Sequence, residues 1–109
     1  MHELGLTQDI LEIVTQRAQE RKVKRVVMEI GRLSCVLPDA IRFCFDLCAA
    51  GTIVEGAELE IIQPPGHGCC RQCGAELALH AAFTRCVCGS SDIKWLSGEE
   101  LKIKEMEIV

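Results

Sequence analysis

A chain of 109 residues with 49% hydrophobic and 26% charged residues has the composition of a small folded domain, not of a disordered segment. A formal net charge of -4 argues against a nucleic-acid reader, which draws its affinity from clustered Lys and Arg. No uninterrupted apolar run approaches the ~20 residues that a membrane helix needs, so neither nucleic acid nor membrane is an expected partner.

Taken in order, the chain opens on Met1-His2-Glu3-Leu4 and passes at once into a helical pattern. Thr7 is a plausible N-cap, and Ile10, Ile13, Val14 and Ala18 form an apolar stripe that predicts an amphipathic helix to about Arg21. The basic cluster Arg21, Lys22, Lys24, Arg25 reads as a solvated helix end. From Lys24 to Ile30 the pattern alternates, with Val26, Met28 and Ile30 on one face, which predicts a strand ending at Gly31. Pro38 suits the first turn of a second helix whose stripe is Leu37, Ala40, Ile41, Cys44, Phe45 and Cys48, with Gly51 as its stop. Phe43, Phe45 and Trp95 are expected in the core, and Cys35, Cys44 and Cys48 are expected to be small buried hydrophobes.

Glu58 to Gln63 reads as a further strand, broken by Pro64-Pro65-Gly66. Leu77, Leu79, Ala81 and Phe83 alternate as a strand would, and Ile93 and Trp95 repeat the spacing. Between Leu101 and Val109 the apolar positions change parity from Leu101 and Ile103 to Met106 and Ile108, which suggests a bulge near Lys104 and Glu105. Two strands cannot bury two helical stripes, so this last strand is expected to return to the first domain. The fold class is therefore α+β: a small mixed sheet with two helices on one face, carrying an inserted zinc-ribbon-like β module. The expected domains are 1–65, completed by the C-terminal strand 99–109, and an inserted metal-binding domain 66–98.

The insertion holds two close cysteine pairs, Cys70-x-x-Cys73 and Cys86-x-Cys88, in a stretch too polar to build a core of its own. Four thiolates on one Zn²⁺ supply what apolar burial does not, because metal binding then becomes folding free energy. Gly74 and Gly89, one after each pair, suit the reversal of a knuckle turn. The second pair has a single intervening residue, Val87, so Cys69, His67 or His80 remains an alternative to one ligand. Eight cysteines would also suit a disulfide scaffold, but the opening shows no secretory signal pattern, and a reducing cytoplasmic location is expected.

Met1-His2-Glu3 offers an α-amine, the amide nitrogen of residue 2, an imidazole and a carboxylate within reach of one ion. Amine, ionised amide and imidazole joined through fused chelate rings favour a tetragonal arrangement, which suits Ni(II) or Cu(II) better than Zn²⁺. Such a site lacks thiolates and is expected to release its metal as amine and imidazole take up protons. On this chemistry alone, a histidine at position 2 is ordinarily just a solvated side chain.

Resemblance adds to that reading. MHEL at the start, KRVVMEIGRLSCV, AIRFCFDL, GTIVEGAELEI, the paired cysteines and the closing LKIKEMEIV together resemble the HypA family of hydrogenase-maturation nickel chaperones, over the whole length. The resemblance implies a nickel site at Met1, His2 and Glu3 and a structural zinc site at Cys70, Cys73, Cys86 and Cys88. The family's usual second pair has two intervening residues, one more than here. It also implies delivery to the large subunit of a [NiFe] hydrogenase, with the HypB GTPase of the same pathway as partner. The chain itself is expected to be a monomer or weak homodimer.

No Ser/His/Asp set, phosphate-cradling glycine loop or paired acid set appears, so no enzyme is expected. Two other readings use the same cysteines: a zinc-ribbon adaptor that binds proteins without any nickel role, and a rubredoxin-like iron electron carrier.

Overall fold

The structure is a computed structural model that describes residues 2–81 and 83–109. Its elements run α1 (Glu3–Ala18), β1 (Val23–Ile30), α2 (Pro38–Ala49), β2 (Glu58–Ile62), β3 (Gly66–Cys70), β4 (Glu76–Leu79), β5 (Ile93–Ser97) and β6 (Leu101–Ile108). The strands form two three-stranded sheets, ordered β2-β1-β6 and β4-β3-β5. The fold is α+β with a zinc-ribbon-like module, as the alternation of patterns implies. No helix among the described residues is long and apolar enough to cross a membrane.

The chain divides into two compact units: Met1–Met28, Val36–Ile61 and Lys102–Val109 form one, Glu29–Cys35 and Ile62–Leu101 the other. In the first, β1 is the central strand and the last strand of the chain flanks it, which supplies the third strand the helices require. Ile10, Leu11, Val14 and Ala18 of α1, Ile41, Cys44, Phe45 and Ala49 of α2, and Val23, Val26, Val27 and Met28 of β1 make the core. The two half-buried residues of β6 are Ile103 and Met106, three apart, in keeping with the parity change in the sequence.

Several local expectations are corrected. Helix α1 begins at Glu3, so Thr7 lies inside it, fully buried, with Oγ1 donating to the Glu3 carbonyl at 2.7 Å. A threonine hydroxyl serves equally well as a cap or bonded back to residue i−4, and sequence alone does not separate the two. The helix closes at Ala18, where Gln19 turns left-handed at φ 50°. Arg25 belongs to β1, where Nη1 donates to Glu107 Oε1 at 2.8 Å and Nη2 to Glu60 Oε2, linking the central strand to both neighbours. Phe43 is 69% exposed whereas Phe45 is 1% exposed, and Cys35 is exposed.

In the second unit, β3 is central and antiparallel to both neighbours, with Gly66 opposite Leu79, Gly68 opposite Trp95 and Cys70 opposite Ile93. This strand, Gly-His-Gly-Cys-Cys, has no apolar alternation and little intrinsic β preference, so the sequence did not disclose it. Its glycines fit close approach: a Cβ on Gly66 would collide with the Leu79 carbonyl oxygen. Strand β4 stops at Leu79, which is buried; Ala81 instead accepts the Thr84 hydroxyl at 2.8 Å in a turn, and Phe83 stands exposed beyond it. The alternation through Ala81 and Phe83 is therefore not a strand.

Candidate metal centre

Each cysteine pair sits on a turn closed by main-chain bonds. At the end of β3, the Gly74 N–H donates to the Cys70 carbonyl at 2.9 Å and the Cys70 N–H to the Ala75 carbonyl at 2.8 Å. At the second pair, the Gly89 N–H donates to the Cys86 carbonyl at 2.9 Å and the Cys86 N–H to the Ser90 carbonyl at 2.9 Å. Gly74 at φ 78° and Gly89 at φ 94° occupy the left-handed region that each reversal needs. The single-residue spacer at Val87 is thus accommodated by a turn one residue tighter, closed from Cys86 to Gly89 where the first is closed from Cys70 to Gly74.

The two turns bring the sulfurs of Cys70, Cys73, Cys86 and Cys88 within 4.8 Å of one another. Cys70 and Cys88 are separated by 3.7 Å and Cys73 and Cys86 by 3.5 Å. A disulfide would bring sulfurs to about 2.05 Å. A tetrahedron of sulfurs at about 2.3 Å from a zinc ion has an edge of about 3.8 Å, so the donor set and its spacing fit Zn²⁺. Cys70 and Cys86 are buried, while Cys73 and Cys88 face solvent. Among the described residues no other side chain joins the group: Cys69 Sγ lies 3.6 Å from the Gly74 carbonyl oxygen, and His67 and His80 stand outside the cluster.

The electrostatics point the same way. The backbone N–H of Cys73, with that of Gln72, holds the Cys70 thiol down to about 6 against the opposing effect of burial. The Ala75 N–H works to lower Cys73, but the sulfurs of Cys86 and Cys70 outweigh it and push that thiol up to about 12. Cys88 is also raised: the Ser90 N–H lowers it, but burial and the sulfurs of Cys70 and Cys86 prevail. One thiolate discourages the next, and a divalent cation among the four removes that conflict.

At the other candidate position, Met1 lies outside the described residues. His2 is exposed and forms the N-cap of α1, with no side-chain capping bond, and its carbonyl accepts the Leu6 N–H at 2.9 Å. Glu3, the first helical residue, is only 8% exposed. Its own backbone N–H holds its carboxyl below the usual carboxylate range, opposed by burial and reinforced by the N–H of Leu37. Leu37 is the N-cap of α2 and has no side-chain capping bond of its own. Among the described residues, no other group of three or more His, Cys, Asp or Glu side chains is arranged to share a metal ion.

Comparisons with known proteins bear on this arrangement. The model of a family described as "Hydrogenase/urease nickel incorporation, metallochaperone, hypA" matches residues 1–108. The hydrogenase maturation factor HypA of Nostoc punctiforme is 58% identical over 108 residues, covering 99% of this chain and 96% of that protein. That of Geobacter sulfurreducens is 43% identical over 109 residues, covering 99% of each. The solution structure of the Ni metallochaperone HypA from Helicobacter pylori aligns over 100% of this chain and 98% of its own, with a TM-score of 0.71. At 22% identity that likeness speaks for the fold alone. A whole-length family match, relatives well over 30% identical and a four-cysteine cluster that fits zinc lead to one conclusion: the chain belongs to the HypA family of nickel-incorporation metallochaperones, maturation factors and not catalysts.

Proposed function

We propose that this protein binds Ni(II) at its amino terminus, through the Met1 amine, the amide nitrogen and imidazole of His2, and Glu3, and delivers it to the large subunit of a [NiFe] hydrogenase. The zinc ligands are Cys70, Cys73, Cys86 and Cys88, and this ion is structural. The nickel domain is 1–65 with 99–109, the zinc domain 66–98. The protein works in the cytoplasm with the HypB GTPase of the same pathway and carries out no reaction itself.

The observation that carries this reading is the match of the nickel-incorporation family model from residue 1 to 108, which takes in the Met1-His2-Glu3 opening. Local geometry supports it. The N–H of a helix N-cap has no intrahelical acceptor, so the His2 amide is free of the ladder that would resist its ionisation. The imidazole of His2 is on the surface. The positive end of α1 works against a cation there, and the ionised amide and the Glu3 carboxylate offset it. The balance favours a labile seat, as suits a cargo in transit, and the four thiolates belong to the other compact unit. A His2→Ala variant is expected to lose one equivalent of Ni(II) while retaining zinc and fold; an unchanged nickel titration would reject the assignment.

A further inference from the structure

Helix α2 buries one side and leaves the other bare. Ile41, Cys44, Phe45 and Ala49 face the core. On the opposite side, Ala40, Phe43, Leu47 and Ala50 recur at i, i+3, i+7 and i+10, so they form a single row along the helix. Phe43 is 69% and Leu47 62% exposed, and Leu37, at the start of the helix, is 64% exposed. Scattered surface apolar residues need no account, but two large ones stacked one turn apart and continued by alanines make a stripe.

Charge says what covers it. Asp39 and Asp46, seven residues apart, run parallel to the stripe along one edge and are both exposed. Among the described residues neither takes part in an ion pair. The one cation on that side of the helix, Arg42, is turned to the sheet, donating from Nη1 to the Leu59 carbonyl at 2.6 Å. The edge therefore presents two uncompensated carboxylates beside an apolar row.

We propose that this face of α2 docks an amphipathic helix of a partner protein, whose apolar stripe lies on Phe43 and Leu47 and whose flanking Lys or Arg residues meet Asp39 and Asp46. A second copy of this chain fits less well: in a two-fold antiparallel pairing the same edge of each helix faces its counterpart, which sets acidic edge against acidic edge. The inference stands whether or not His2 carries nickel.

The test uses the full zinc-loaded chain and two synthetic amphipathic helical peptides with the same leucine stripe, one edged with lysines and the other with glutamates. Amide shift perturbation is expected on α2 with the lysine-edged peptide, which binds at least about tenfold more tightly than its twin. Phe43→Ser with Leu47→Ser, both surface changes, abolishes binding while the amide spectrum stays folded, and Asp39→Asn with Asp46→Asn erases the preference for lysine. Equal binding of the two peptides, perturbation centred elsewhere, or no binding overturns the proposal. A concentration-dependent dimer that Phe43→Ser dissociates overturns it in favour of a second copy.

Discussion

The sulfurs of Cys73 and Cys86 stand 3.5 Å apart although twelve residues lie between them, and the described residues of the peptide that separates them make only a short strand and turns. Little apolar burial supports that approach: among the described residues, Cys70, Leu79 and Cys86 are the buried hydrophobic side chains of the β4-β3-β5 module. The metal is therefore expected to hold the module together. Purified protein should contain one equivalent of colourless zinc. Stripping it with a chelator should remove amide-exchange protection from β3, β4 and β5 while β1 keeps its own. Iron with visible absorption in its place would instead favour an electron carrier.

Helix α2 offers a direct check on the packing. Phe43 and Phe45 are two residues apart and differ only in which way they face. Phe45→Ala is expected to cost about 3–5 kcal/mol in urea unfolding, the usual loss for a fully buried aromatic. Phe43→Ala is expected to change stability by no more than about 0.5 kcal/mol.

Two glycines separate backbone need from backbone habit. A Cβ at Gly66 would strike the Leu79 carbonyl, so Gly66→Ala is expected to destabilise by about 1–3 kcal/mol. At Gly5, inside α1, a Cβ meets open space, and Gly5→Ala is expected to stabilise by about 0.5 kcal/mol through helix propensity. Thermal melts of the two variants should move in opposite directions.

Much of this was legible in the residues. The spacing of apolar positions located both helices and β1, and the shortage of strands under those helices required the last strand to return. The paired cysteines with their trailing glycines marked the metal module. What the residues concealed has physical reasons. Strand β3 carries no apolar alternation because glycines at positions 66 and 68 make room for neighbours that only the fold brings near. Phe43 passes for core by composition, since an aromatic residue on an exposed helix face looks the same in sequence as one inside.

Proton competition sets a sign for nickel. At the proposed site, coordination through the His2 amide nitrogen would displace a proton at every pH, and the α-amine a second wherever it would otherwise be protonated. Apparent nickel affinity is thus expected to fall on acidification, by roughly 100-fold per pH unit where both protons count. Calorimetry in buffers of different ionisation enthalpy should count about two protons released per nickel at neutral pH.

The central claim, that the cargo ion sits on the first residues and not among the thiolates, is tested most directly by titrating Ni(II) into untagged zinc-loaded protein and into a copy extended by Gly-Ser ahead of Met1. The extension removes the Met1 amine from the chelate and leaves the cysteines untouched. The untagged protein is expected to take up one equivalent without sulfur-to-nickel charge-transfer absorption, and the extended copy is expected to lose that binding. Equal uptake by both, or nickel bands from thiolate ligands accompanied by zinc release, would contradict it.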